Sequence, residues 1–217
     1  METQCQHLKI TQRNELLKLL HKFEEFFDET PGTREIYPVD FKLKDNAKPI
    51  FYRPYPVPKV HEEIFKKEVE PLFLLGVLEV ENNSEWGAPS FAQPKPKSNK
   101  LRFLSYFRNS NKQLKQKPYP MPKINQIFLK LEGFHYATSL DLNMEYYHIQ
   151  IIKNASNLYM IILHWGKCWY KHLSMGVSNS SQIFQQKMND LFHGFKFIRA
   201  YIDDLLILTK LYWIDHA

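Results

Sequence analysis

Leucine and phenylalanine recur at helical spacing near the start of the chain. Leu16, Leu19, Leu20, Phe23, Phe26 and Phe27 share one face of residues 15–27, which predicts an amphipathic packing helix stopped at Thr30-Pro31-Gly32. Residues 34–58 carry Pro38, Pro49, Pro54, Pro56 and Pro58, so they read as an extended leader strapped over a following domain. A second helix is predicted over 60–75, closed by Gly76 and weakened by Pro71. Residues 77–80 make a short strand. Phe91 opens another, which turns through Pro94-Lys95-Pro96-Lys97-Ser98-Asn99-Lys100 and returns over 101–104. The tip of that hairpin is basic. Arg102 has the fork geometry to hold two phosphate oxygens, and a solvated loop fits the same text equally well.

The second half changes rhythm. All 13 prolines lie at or before Pro122. After the extended joint Lys117-Pro118-Tyr119-Pro120-Met121-Pro122 come a helix over 123–131 and an alternating strand over 136–142 that delivers Asp141 near its end. Further strands are predicted at 149–151 and 158–163. A helix over 178–191 places Ile183, Phe184, Met188 and Leu191 on one face. Residues 197–208 then form two short apolar runs around Asp203-Asp204, the pattern of a tight β-hairpin with the carboxylates at or beside its tip. Two anions side by side on a mostly buried hairpin repel one another and lose hydration, so they call for a cation. Carboxylates that bridge a pair of Mg²⁺ ions are the device of phosphoryl-transfer enzymes. An exposed turn with two solvated aspartates is the plain alternative.

Charge and cysteine content narrow the setting. The first 50 residues carry a net −1 and the remainder +7, a distribution that suits a polyanionic partner. Cys5 and Cys168 lack disulfide-framework or zinc spacing. No apolar run approaches the ~20 residues of a membrane span, and the start lacks the layout of a signal peptide. The expectation is an intracellular protein, cytoplasmic or nuclear, with no membrane partner.

With strand-borne aspartate, helix and Asp-Asp hairpin in this order, the chain resembles the reverse transcriptase of gypsy-type long-terminal-repeat retrotransposons over about residues 34–210. The matching text includes Arg53-Pro54-Tyr55-Pro56, Leu75-Gly76-Val77-Leu78-Glu79, Ser84-Glu85-Trp86-Gly87-Ala88-Pro89-Ser90-Phe91 and the 117–122 joint. It continues through Leu140-Asp141-Leu142-Asn143-Met144, Met175-Gly176-Val177 and Phe184-Gln185 to Tyr201-Ile202-Asp203-Asp204. The resemblance implies an α+β fold, the fingers and partial palm of a right-hand polymerase, with a small antiparallel sheet backed by helices. Residues 1–50 would form a helix and leader, 51–116 and 149–179 the fingers, 117–148 and 180–210 an incomplete palm, and 211–217 a tail. The implied activity is RNA-directed DNA polymerisation by two Mg²⁺ ions, with Mn²⁺ as an alternative. Asp141, Asp203, Asp204 and the Leu142 carbonyl are the implied metal ligands. Lys95 and Arg102 match the cations that grip a deoxynucleoside triphosphate, Tyr146 the aromatic gate beneath its sugar, and Met175 and Gly176 the nucleotide pocket. Each of these also has a plain core-packing reading, strongest for Met175. The implied partners are an RNA or DNA template-primer and the rest of a polyprotein, including thumb and ribonuclease H segments, within a virus-like particle.

Departures from the family pattern define the rival expectation. Tyr106 stands where relatives carry Asp, Glu145 where they carry a small residue, and His164, Ser174 and Ser181 where they carry Pro. No Asp-Thr/Ser-Gly protease motif is present, and the text ends at Ala217 before any thumb. A catalytically inactive, truncated remnant that at most binds nucleic acid is the alternative to an enzyme. Glu145 in particular is expected to repel the triphosphate.

Overall fold

The computed structural model describes residues 5–27, 38–94, 101–129, 131 and 133–210. The Thr30-Pro31-Gly32 stop, the basic tip with Lys95, and residues 211–217 lie outside that range. In chain order the helices are α1 (Ile10–Lys22), α2 (Lys59–Leu74), α3 (Arg108–Lys112), α4 (Ile124–Phe128), α5 (Lys153–Ser156) and α6 (Ser180–Phe192). The strands are β1 (Leu78–Val80), β2 (Ala88–Pro94), β3 (Leu101–Ser105), β4 (Tyr136–Asp141), β5 (Met160–Leu163), β6 (Gly166–Tyr170), β7 (Ile198–Tyr201) and β8 (Asp204–Thr209). They divide between two compact units.

One unit, Thr33–Tyr119 with Met144–Phe184, holds a five-stranded sheet in the order β1-β6-β5-β2-β3. Its pairings are antiparallel except β2 with β5, which run parallel. The central strand β5 is the apolar run Met160-Ile161-Ile162-Leu163, buried throughout, as a strand covered on both faces must be. Helix α2 lays Phe65, Val69 and Leu72 into this core. It ends where Gly76 takes φ 67°: Val77 N–H donates to the Leu72 carbonyl and Gly76 N–H to that of Phe73. This is the paired closure that a left-handed residue after the last turn permits. The leader from residue 38 onward is strapped to the same unit by bridges Val39–Ile151, Leu43–Leu114 and Phe51–Gly87.

The other unit, Met1–Gly32, Pro120–Asn143 and Gln185–Ala217, holds the antiparallel sheet β4-β8-β7. Helix α1 buries none of its residues; its Gln12 amide donates to the Tyr136 hydroxyl on β4 at 3.1 Å. Among the described residues no helix is long and apolar enough to cross a membrane. Both cysteines are free thiols, and burial pushes that of Cys168 up to about 12.

The strand expected at 149–151 is not one. Gln150 and Ile151 make isolated bridges to His172 and Val39. The helix expected over 123–131 is the five-residue α4. Strand β6 and helix α3 were not expected from the pattern. Strands β5 and β6 are joined by His164 and Trp165 alone, neither of them a residue that marks a two-residue turn in the sequence.

Tyr159 occupies the centre of the five-stranded unit, 0% exposed, with Phe41 and Phe107 edge-on at 5.0 and 5.2 Å. Among the described residues its hydroxyl has no hydrogen-bond partner. A buried hydroxyl left unpaired costs ~1–3 kcal/mol, so Tyr159→Phe is expected to raise stability by ~1 kcal/mol or more. A lower urea midpoint for that variant would contradict this.

Candidate active site

The three-stranded sheet brings the aspartates to one end. Tyr201 and Asp204 are the last register pair of β7 and β8, so Ile202 and Asp203 form a two-residue loop. The residue in the left-handed region is Ile202, φ 52°, rather than either aspartate. Strand β4 lies on the other side of β8, with Asp141 directly opposite Asp204. Leu142 N–H continues the pairing by donating to the Asp203 carbonyl at 3.0 Å. Residues opposite one another on antiparallel strands have Cβ atoms ~5 Å apart, and two like charges so placed repel. Asp141 and Asp204 are exposed and Asp203 is half-buried.

Hard oxygen donors in opposed pairs suit a divalent cation of the Mg²⁺ class. The fit extends to that opposed pair. Among the described residues no three His, Cys, Asp or Glu side chains are gathered into a closed metal-binding group.

The remaining candidates lie on the five-stranded unit, apart from Lys95, which falls outside the described residues. Arg102 is exposed on β3, paired in register with Gln93 of β2. Three residues further along the same strand, the Ser105 carbonyl lies 3.2 Å from where a Cβ on Gly176 would sit, and Gly176 has φ 85°. That position therefore needs glycine for both backbone conformation and space. Asn111 of α3 pins the loop: its amide donates to the Gly176 carbonyl at 2.7 Å and its oxygen accepts from Ser178 N–H at 2.8 Å. Sequence reasoning passed over Asn111, whose signal was only a polar residue in a segment too short for periodicity. Met175 is 50% exposed, which removes the reading of it as core filler.

Tyr146 follows Met144, a residue with φ 54°, in a 3₁₀ turn over Glu145–His148. Its ring meets Phe184 edge-on at 5.7 Å and its hydroxyl lies 3.1 Å from the Ser181 hydroxyl. Ser181 thus supplies the tyrosine with a hydroxyl partner. Glu145 is buried, 8% exposed, where the sequence placed it in open repulsion with a ligand. Its charge acts on the neighbouring Tyr147, whose hydroxyl is pushed up to about 12. Burial is the main cause, the Tyr170 hydrogen bond opposes it, and Glu145 adds to the rise. Tyr106 donates its backbone N–H to the Pro89 carbonyl, and its ring carries the Arg108 guanidinium at 5.3 Å.

A profile of the reverse transcriptase (RNA-dependent DNA polymerase) family matches residues 93–212. The chain belongs to that family. Relatives include the Pol polyprotein of the Drosophila melanogaster transposon gypsy, 27% identical over 174 residues. That match covers 75% of this chain and 16% of the relative. The Pol polyprotein of transposon 297 from the same organism is 25% identical, covering 94% and 20%. The putative enzymatic polyprotein of Cassava vein mosaic virus is 28% identical, covering 78% and 27%. The reverse transcriptase-family chain thus spans well under half the length of these relatives. The structure of prototype foamy virus protease-reverse transcriptase superposes with a TM-score of 0.86 at 22% identity, covering 96% of this chain and 28% of that one. The α+β fold of polymerase fingers and palm is therefore the fold of this chain.

Proposed function

We propose that the chain carries the nucleotidyl-transfer centre of an RNA-directed DNA polymerase of the gypsy-type retrotransposon lineage. The observation that carries this reading is the opposition of Asp141 and Asp204 beside the Asp203 loop, in a chain of the reverse transcriptase family. The three-stranded unit serves as palm and the five-stranded unit as fingers. Asp141, Asp203, Asp204 and the Leu142 carbonyl would hold two Mg²⁺ ions. When bound, such a pair supplies the positive charge that activates a primer 3′-hydroxyl and neutralises a triphosphate. Lys95 and Arg102 bind the triphosphate oxygens, Arg102 through its planar fork. Tyr146 lies under the deoxyribose, held by Ser181 and Phe184. Gly176, whose positive φ and approach to the Ser105 carbonyl fix the loop, would line the nucleotide pocket with exposed Met175 beside it. The template-primer is RNA or DNA; a foamy viral protease-reverse transcriptase of the same fold has been solved with an RNA/DNA hybrid. The burial of Glu145 favours the enzyme over the inactive remnant, because its carboxylate is packed within the protein rather than presented on the surface.

The test is single-nucleotide extension of a DNA primer on an RNA template. Incorporation of the matched deoxynucleotide that depends on Mg²⁺ and stops with chelator is expected. Duplex binding without incorporation in either Mg²⁺ or Mn²⁺ would leave the remnant as the correct reading.

A further inference from the structure

Gln185 follows Phe184 on α6 and is 0% exposed. Its side-chain amide is spent on the Asp-Asp hairpin. Oε1 accepts from Ile202 N–H at 2.7 Å, and Nε2 donates to the Ala200 carbonyl at 3.0 Å and to Asn189 Oδ1 at 2.9 Å. The two backbone groups flank Tyr201 on β7, an edge strand of β4-β8-β7. Tyr201 is in register with Asp204, so Ala200, in the next pair, presents its polar groups outward, and Ile202 N–H lies just past the end of the strand. An edge strand leaves such groups unpaired unless something covers them. The Gln185 amide, which turns one of its N–H groups and its oxygen toward these backbone groups, takes the place of a neighbouring strand at that point.

The hairpin backbone is also strained at this point. A first loop position with positive φ is normally Gly, Asn or Asp. Here it is Ile202, a β-branched residue for which φ 52° is a costly outlier that persists only when surrounding contacts over-determine it. The 2.7 Å bond from its N–H to Gln185 is such a contact. The residue held this way immediately precedes Asp203 and Asp204.

We propose that Gln185 is a positioning residue for the carboxylates. By holding Ile202 in the left-handed conformation, it fixes the direction in which Asp203 and Asp204 leave the hairpin toward Asp141. The proposal rests on the polymerase reading for the use of those carboxylates, and on hydrogen bonding alone for the hold on the hairpin.

The test compares Gln185→Met, which keeps length and apolar bulk without the amide, with Gln185→Glu, which keeps the acceptor for Ile202 N–H. Met188→Ala, a buried neighbour on α6 outside the clamp, is the control for general loss of core. Amide hydrogen exchange at Ile202 is expected to accelerate about tenfold or more in Gln185→Met, the scale of losing one buried hydrogen bond. It should stay within about threefold of wild type in Gln185→Glu. Mn²⁺ affinity, measured with the metal alone by water-proton relaxation, is expected to fall about tenfold in Gln185→Met and to hold in Met188→Ala. Unchanged Ile202 exchange in Gln185→Met overturns the proposal, and so does an equal loss of Mn²⁺ affinity in Met188→Ala. If Gln185→Met does not fold, rapid exchange at Ile202 in folded Gln185→Glu overturns it as well. Wild-type chain that binds no Mn²⁺ overturns the polymerase reading instead, while Ile202 exchange still decides whether Gln185 sets the hairpin.

Discussion

Asp203→Asn is expected to lower primer extension by about a thousandfold, ~4 kcal/mol of transition-state stabilisation, because a metal-held charge contributes several kcal/mol at a phosphoryl centre. Asparagine keeps the volume and one oxygen but removes the charge, so the β7–β8 loop should persist. Asp141→Asn and Asp204→Asn are expected to fall comparably, and they add a second readout. Asp141 and Asp204 oppose each other in register, so neutralising either one relieves a like-charge cross-strand pair. Activity should therefore drop while the melting midpoint holds or rises slightly. Loss of folding together with loss of extension would mean that these aspartates support structure. Extension at wild-type rate in any of the three would remove that residue from the catalytic set.

Phe107→Ala is the substitution expected to damage the fold most. Phe107 is 1% exposed and meets Tyr159 and Tyr170 edge-on at 5.2 and 5.9 Å. Truncating a buried phenylalanine costs ~4 kcal/mol in lost burial and cavity formation. With a urea dependence of ~2 kcal/mol per molar, the midpoint should move down by about 2 M. Val60→Ala, at an exposed position of α2, is the matching control and should move it by less than ~0.5 kcal/mol equivalent. A Phe107→Ala midpoint close to that control would show that the ring is not a central packing element.

Elements with strong local signals were legible. The period of α2 and its closing glycine gave the helix to within a residue at each end, because the left-handed residue after the last turn is local chemistry. The β7–β8 hairpin followed from two strand-forming runs separated by a polar pair. Where the local signal was weak, reading failed. Residues 149–151 alternate like a strand, but their neighbours offer single bridges instead of a ladder. Segment 123–131 has helical spacing, yet the helix stops at Phe128.

The sequence by itself determined the family and which side chains could do chemistry, because residue identity and short-range order carry that information. It assigned Asp141, Asp203, Asp204, Arg102, Tyr146, Met175 and Gly176 as candidates without any contact being known. Register decided the rest. That Asp141 faces Asp204 depends on how β4 slides along β8, and a one-residue shift would turn the side chain to the other face. Burial is equally non-local. Glu145 reads as a charge facing a ligand, and only tertiary packing buries it. Gln185 reads as a polar residue on an amphipathic helix, and only the edge of a sheet that closes 15 residues later gives its amide a backbone to hold. An amide's partners are fixed by where distant backbone groups come to rest, and nothing in the spacing along the chain specifies that.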